Sequence, residues 1–100
     1  MAFDIKADKN EVRVNLDGKI FVEDAAQLRE KLLDLIGTGY RRFVINMSQA
    51  TYIDSSGLGV LVAIHKRAIE HGGGVVIQGL QGAVKELFLM TRLNKVFDIE

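Results

Sequence analysis

A chain of 100 residues, 48% of them apolar, is long enough for one packed core and too apolar for a disordered segment. Thirteen basic and thirteen acidic side chains cancel, which removes any general attraction to nucleic acid or to an anionic membrane surface. With no cysteine there is neither a disulfide framework nor a thiolate metal site. The N-terminal run MAFDIKADKN is not followed by an apolar signal core, and no stretch approaches the ~18 uninterrupted apolar residues of a membrane span. The expectation is a single cytoplasmic domain over residues 1–100 that binds neither nucleic acid nor membrane.

From Phe3 to Asp8 the chain alternates, with Phe3, Ile5 and Ala7 on one side and Asp4, Lys6 and Asp8 on the other. After a polar Lys9-Asn10 link, Val12, Val14 and Leu16 alternate again up to Asp17, and Gly18 interrupts the pattern. Two such runs on a short link predict an antiparallel hairpin with one wet face. Between Glu23 and Ile36 the period changes to that of a helix: Ala25, Leu28, Leu32, Leu35 and Ile36 form one stripe. Glu23 and Asp24 suit the positive end of its dipole, and Gly37 and Gly39 stop it.

Phe43, Val44 and Ile45 run without alternation, the pattern of a strand covered on both faces, and Ser48 to Ile53 reads as a connection. A second helix is predicted from Ser55 or Ser56 to about His71, apolar in its first half and polar in its second. Gly72-Gly73-Gly74 ends it and leads into a strand at Val75, Val76 and Ile77. A third helix spans roughly Gln81 to Thr91 with Val84, Leu87 and Phe88 inward, and Val96 to Ile99 is a last short strand. The predicted class is α/β. The order is β-β-α-β-α-β-α-β, giving a small, mixed, mostly parallel sheet with the hairpin at an edge and helices packed on it.

One segment concentrates polar chemistry: Asp54-Ser55-Ser56-Gly57-Leu58-Gly59 at the entry of the second helix. Asp and Ser are preferred N-cap residues, so capping alone is the bland explanation. One cap suffices, however, and each glycine in a helix costs about 1 kcal/mol relative to alanine. A nucleotide or anion site at the helix N-terminus finds no G-x-x-x-x-G-K-[ST] and no G-x-G-x-x-G. A nucleophilic serine finds no G-x-S-x-G. His65 lies ten residues beyond Ser55, about 15 Å along one helix axis, and His71 is farther, so a Ser-His pair fails on geometry. Both histidines read as surface residues on the polar half of the helix, and no metal-ligand spacing joins them to an acid. No catalytic residue and no metal ligand is assigned. A phosphoacceptor hydroxyl is the third reading: a serine feeding a helix is open to a kinase, and its phosphate would sit at the positive end of the dipole while Asp54 repels it.

The run Asp54-Ser55-Ser56-Gly57-Leu58-Gly59-Val60 resembles the signature of the STAS domain family, specifically the bacterial anti-sigma-factor antagonists. The likeness extends to Val14-Asn15-Leu16-Asp17-Gly18, to Arg42–Ser48, to His71-Gly72-Gly73-Gly74 and to Val84–Phe97. It implies a binding protein that is not an enzyme and uses no cofactor. Dephosphorylated, such a protein binds an anti-sigma factor that is also a serine kinase, and so frees the sigma factor. The kinase modifies the serine directly after the aspartate, and a phosphoserine phosphatase restores it. On this sequence the phosphorylated residue would be Ser55. The switch loop and partner-binding surface would comprise Asp54, Ser55, Ser56, Gly57, Leu58 and Gly59. Two departures stand out: Lys19-Ile20-Phe21 follows Gly18 where the family often has an acid, and Asn46 stands where it often has Asp. A scaffold of another signalling assembly and a nucleotide- or small-anion-binding domain remain as alternatives.

Outside this segment, Phe21 and Val22 are expected to staple the first helix rather than to anchor a partner. Leu89 and Met90 fall off the inner stripe of the third helix, either against the last strand or as a small exposed patch. Arg41-Arg42 reads as a solvated strand entry.

Overall fold

The computed structural model describes residues 2–100. Its elements are β1 (Phe3–Ala7), β2 (Val12–Ile20), α1 (Val22–Gly37), β3 (Arg42–Ile53), α2 (Ser55–Glu70), β4 (Gly74–Gln78), α3 (Gly82–Met90), a 3-10 turn (Leu93–Lys95) and β5 (Asp98–Ile99). The predicted order holds. The sheet runs β1-β2-β3-β4-β5, with β1 antiparallel to β2 at the edge and every other pair parallel.

Strand register separates the two faces of the sheet. Val12, Phe43 and Val75 form one cross-strand row, and Val14, Ile45 and Ile77 the next. All six are essentially inaccessible and share one cluster with Leu28 and Leu32 of α1, Leu61 and Ile64 of α2, and Val84 and Phe88 of α3. The alternate rows stay outside that cluster: exposed Lys6 and Arg13 lead to Val44, and exposed Asp4 and Asn15 lead to Asn46 and Gln78. Cover on both faces at Phe43–Ile45 holds, since Val44 is also buried, but the expectation of helices above and below is corrected. Val44 belongs to the second face, in a shallow cleft with Glu11, Arg42, Val76 and Asp98, while the helices put their apolar stripes on the first. The hydrophobic effect is satisfied by one layer of helices because the open face carries polar side chains at alternate positions.

The segment from Ser48 to Ile53 is strand, not connection, which makes β3 twelve residues long. Its pattern is hard to read because β3 bulges twice against β2, between the pairs Asn15–Asn46 and Asp17–Gln49 and again between Gly18–Ala50 and Lys19–Tyr52. Each bulge inserts a residue and breaks the period of two. Asn46 fixes the first: its Oδ1 accepts from the Ser48 N–H at 3.0 Å, and its Nδ2 donates to Asn15 Oδ1 at 3.1 Å. An ionised aspartate there could not donate to Asn15. Gly18 takes φ +70°, which lets β2 continue past the interruption to Ile20. The last strand is shorter than expected, because a 3-10 turn occupies Leu93–Lys95 and only Asp98–Ile99 pair with β4.

Candidate functional site

Parallel strands β2 and β3 finish side by side at Ile20 and Ile53, and a helix starts directly beyond each. Asp54 is the residue between strand and helix. Its N–H donates to the Ile20 carbonyl at 3.3 Å, and its carbonyl accepts from the Leu58 N–H at 3.1 Å. Its Oδ1 accepts from the Gly57 N–H at 3.0 Å. Asp54 is thus the N-cap of α2 and ties that helix to the end of the neighbouring strand.

This division of labour frees the serines. Ser55 is the first helical residue and is exposed, and Ser56 behind it is half-buried. Among the described residues neither side chain makes a hydrogen bond, so the capping explanation covers Asp54 and leaves the Ser55 hydroxyl without a structural task. No hydrogen bond joins Asp54 to Ser55 either; Asp54 Oδ1 is taken by the Gly57 amide.

The two glycines differ in kind. A Cβ on Gly57 would come within 2.5 Å of Ile53 Cγ1 and 2.8 Å of its Cδ1, with Ile20 Cγ2 at 3.5 Å. Gly57 is glycine because α2 lies hard against the strand ends. A Cβ on Gly59 would meet nothing within 4 Å. Between them Leu58 points into the core. Of the six residues Asp54–Gly59, then, Asp54, Gly57 and Leu58 hold the loop in place, while Ser55 and Gly59 face outward.

Phe21 corrects the staple expectation. It is the N-cap of α1 and 50% exposed, and its ring lies 5.6 Å from that of Tyr52. The position before the cap is filled by buried Ile20, and the carboxylate of Asp24 accepts from the Phe21 N–H at 3.1 Å. Tyr52 was missed in the sequence because it lies in the stretch read as a connection; an aromatic two residues before Asp54 was the available signal. Tyr52 and Ile53 also line a groove of about 250 Å³ shared with Val84, Leu87 and Met90 of α3. Leu89 and Met90 are exposed, which settles that pair as surface.

The histidines fall far from Ser55, in opposite environments. His71 is exposed at the C-terminal cap of α2, as expected. His65 is buried, against expectation: it follows Leu58 and Leu61 and precedes Ala68 on the inner stripe of the helix. Its Nδ1 accepts from the Val75 N–H at 3.0 Å, and its ring packs edge-on to Phe97 at 5.1 Å. Burial pushes its pKa below the usual 6.5, and a backbone hydrogen bond at Val96 partly opposes that. Arg41 and Arg42 are exposed at the strand entry.

A family model described as the STAS domain matches residues 2–100. The anti-sigma-B factor antagonist of Bacillus subtilis is 36% identical over 96 residues, which cover 96% of this chain and 87% of that protein. The fold is similar to that of the anti-sigma factor antagonist SpoIIAA in its unphosphorylated form, with a TM-score of 0.84, 18% identity, and coverage of 99% of this chain and 87% of that one. It is equally similar to Bacillus SpoIIAA in the phosphorylated form, with a TM-score of 0.83, 19% identity, and coverage of 99% and 91%.

Proposed function

Because the chain belongs to the STAS domain family and, at 36% identity over nearly its full length, is an anti-sigma-factor antagonist, we propose that Ser55 is the hydroxyl through which a kinase turns it off. An antagonist of this kind acts by binding an anti-sigma factor and is not an enzyme. In the proposed cycle the unmodified chain, working in the cytoplasm as one domain over residues 1–100, binds an anti-sigma factor that is also a serine kinase. Phosphorylation of Ser55 by that partner ends the complex, and a phosphoserine phosphatase restores it.

The observation that carries this reading is the Ser55 hydroxyl, which has no hydrogen-bond partner among the described residues: Asp54 has already capped the helix, and Ser55 is exposed at its first position. Modification there would add about −1.5 to −2 charges. The helix dipole favours that charge and the Asp54 carboxylate opposes it. Ser55 is exposed and outside the core, so the domain should survive modification with little internal change, and the effect falls on whatever covers the loop. A phosphate buried in an interface without a partner costs about 2–5 kcal/mol. At about 1.4 kcal/mol per decade, that is roughly 30- to several-thousand-fold in affinity. The mechanism is electrostatic exclusion on a rigid body.

Asp54 holds the serine in place through the Gly57 amide and the Ile20 carbonyl. Gly59 leaves a flat, open position one helical turn beyond Ser55, where a partner backbone can approach. The nucleotide or anion alternative loses ground on the same geometry. The Gly57 amide is occupied by Asp54, and the space beside Gly57 is filled by Ile53. Incubation with the anti-sigma factor kinase and ATP, followed by mass spectrometric mapping, should place one phosphate on Ser55. A phosphate on Ser56 alone would refute the site while keeping the class.

A further inference from the structure

Among the described residues eight large hydrophobic side chains are exposed, and Phe21, Val22, Tyr52 and Met90 gather at the end of the sheet that carries Ser55. Tyr52 near the end of β3 and Phe21, directly after the end of β2, lean together. Tyr52 is at the same time one wall of the groove whose floor is Ile53 and Val84 and whose far lip is Met90, 81% exposed. Ile53 is followed directly by the Asp54 cap and Ser55. Tyr52 thus stands three residues before the phosphoacceptor, on the strand end that leads into it.

We infer that the Phe21–Tyr52 pair and the groove running from it to Met90 form the apolar anchor on which the anti-sigma factor seats a hydrophobic side chain beside Ser55. The inference rests on Ser55 being the switch. Exposing two aromatic rings and a methionine gains the isolated domain nothing, since the hydrophobic effect would bury them. Aromatic residues near the centre of an interface carry a disproportionate share of its affinity, and a rigid pair loses little freedom on binding. The Tyr52 hydroxyl makes no hydrogen bond among the described residues, which leaves it available across an interface. A second copy of this chain is the less fitting occupant: a homodimer seated here would wall Ser55 off from the kinase. The anchor also explains why a charge at Ser55 is decisive. It would be held against a surface from which water has been driven, where a charge is most costly.

The partner is first fixed operationally, as the anti-sigma factor that the unmodified chain retains from its own cells and that Ser55→Asp releases. If no protein behaves so, the Ser55 reading falls and the anchor falls with it. With that purified protein, isothermal titration of Phe21→Ala and Tyr52→Ala should each show about 30-fold weaker binding. Met90→Lys should do the same at a position exposed enough to leave the fold alone. Ile69→Ala, exposed on the polar half of α2, should change affinity less than about threefold. Thermal melts of each variant establish that folding is intact, and Met90→Lys decides the matter where an aromatic truncation lowers the melt. Wild-type affinity in all three variants, with Ser55→Asp still released, would overturn the anchor and spare the switch. A chain that runs as a dimer and becomes monomeric on Tyr52→Ala would assign the patch to a second copy and overturn it as well.

Discussion

The two glycines at the head of α2 should answer the same substitution with opposite signs. Gly57→Ala drives a methyl group to 2.5 Å from Ile53 Cγ1, well inside contact distance, and Ile53 is itself 2% exposed and hemmed in by the core. Either Ile53 leaves its rotamer or α2 lifts off the strand ends. Overpacking of this sort costs about 1–3 kcal/mol. The gain in helix propensity returns at most about 1 kcal/mol, so a net loss of about 1 kcal/mol is expected. Gly59→Ala meets nothing within 4 Å and keeps the propensity gain of about 1 kcal/mol. The two variants should therefore differ by about 2 kcal/mol, or about 8–16 °C in melting temperature for a domain of this size. Urea denaturation followed by circular dichroism measures both. If Gly57→Ala were as stable as Gly59→Ala, α2 would not be seated on the strand ends as described, and the positioning of Ser55 would lose its basis.

Asp54→Ala removes the acceptor of the Gly57 amide and should cost about 0.5–2 kcal/mol in denaturant titrations, whereas Ser55→Ala, which breaks no hydrogen bond, should leave stability within about 0.5 kcal/mol of wild type. His65 should make stability depend on pH. Its folded pKa is depressed by burial, so the unfolded chain binds more protons; the stability from the neutral ring is complete above 6.5 and is lost as pH falls through and below it. Melts between pH 7.5 and 5 should show that decline, and His65→Leu should flatten it; an equal decline in the variant would assign it elsewhere. Gly73→Ala should be the most damaging glycine substitution, because its methyl group would collide with the Arg41 carbonyl, a backbone atom that cannot rotate away. Loss of the cooperative melt is expected, and a wild-type melt would contradict that geometry.

Much of this molecule is legible in its sequence, because period and punctuation agree over most of it. The hairpin alternation at Phe3–Asp17, the stripe from Ala25 to Ile36 and the triple glycine each point to one element, and parallel pairing follows from the helices between strands. The Asp54–Gly59 run was visible as an excess of cap-like residues. Reading failed where tertiary contacts override local pattern. The two bulges in β3 put Ala50 and Ile53 inside with Thr51 and Tyr52 out, a spacing of three that breaks the strand period of two, so Ser48–Ile53 does not read as strand. Residue type alone puts His65 at the surface, although its place after Leu58 and Leu61 and before Ala68 marks the buried face; the Val75 amide needs an acceptor there, and only the folded sheet brings it close. Phe21 could not be told from a staple, since the register that fills that role with Ile20 and sets Phe21 beside Tyr52 exists only once β2 and β3 are paired. Likewise, which of Asp54, Ser55 and Ser56 caps the helix is settled by hydrogen bonds and not by residue preference.

The most direct measurement is a pair of titrations of the anti-sigma factor, one with the unmodified chain and one with the chain carrying a single phosphate on Ser55, each accompanied by a circular dichroism spectrum. The expected result is at least about 30-fold weaker binding of the phosphorylated form with superimposable spectra. Equal affinities would contradict exclusion by charge at Ser55, and a changed spectrum would mean that the fold itself, and not the surface, does the switching.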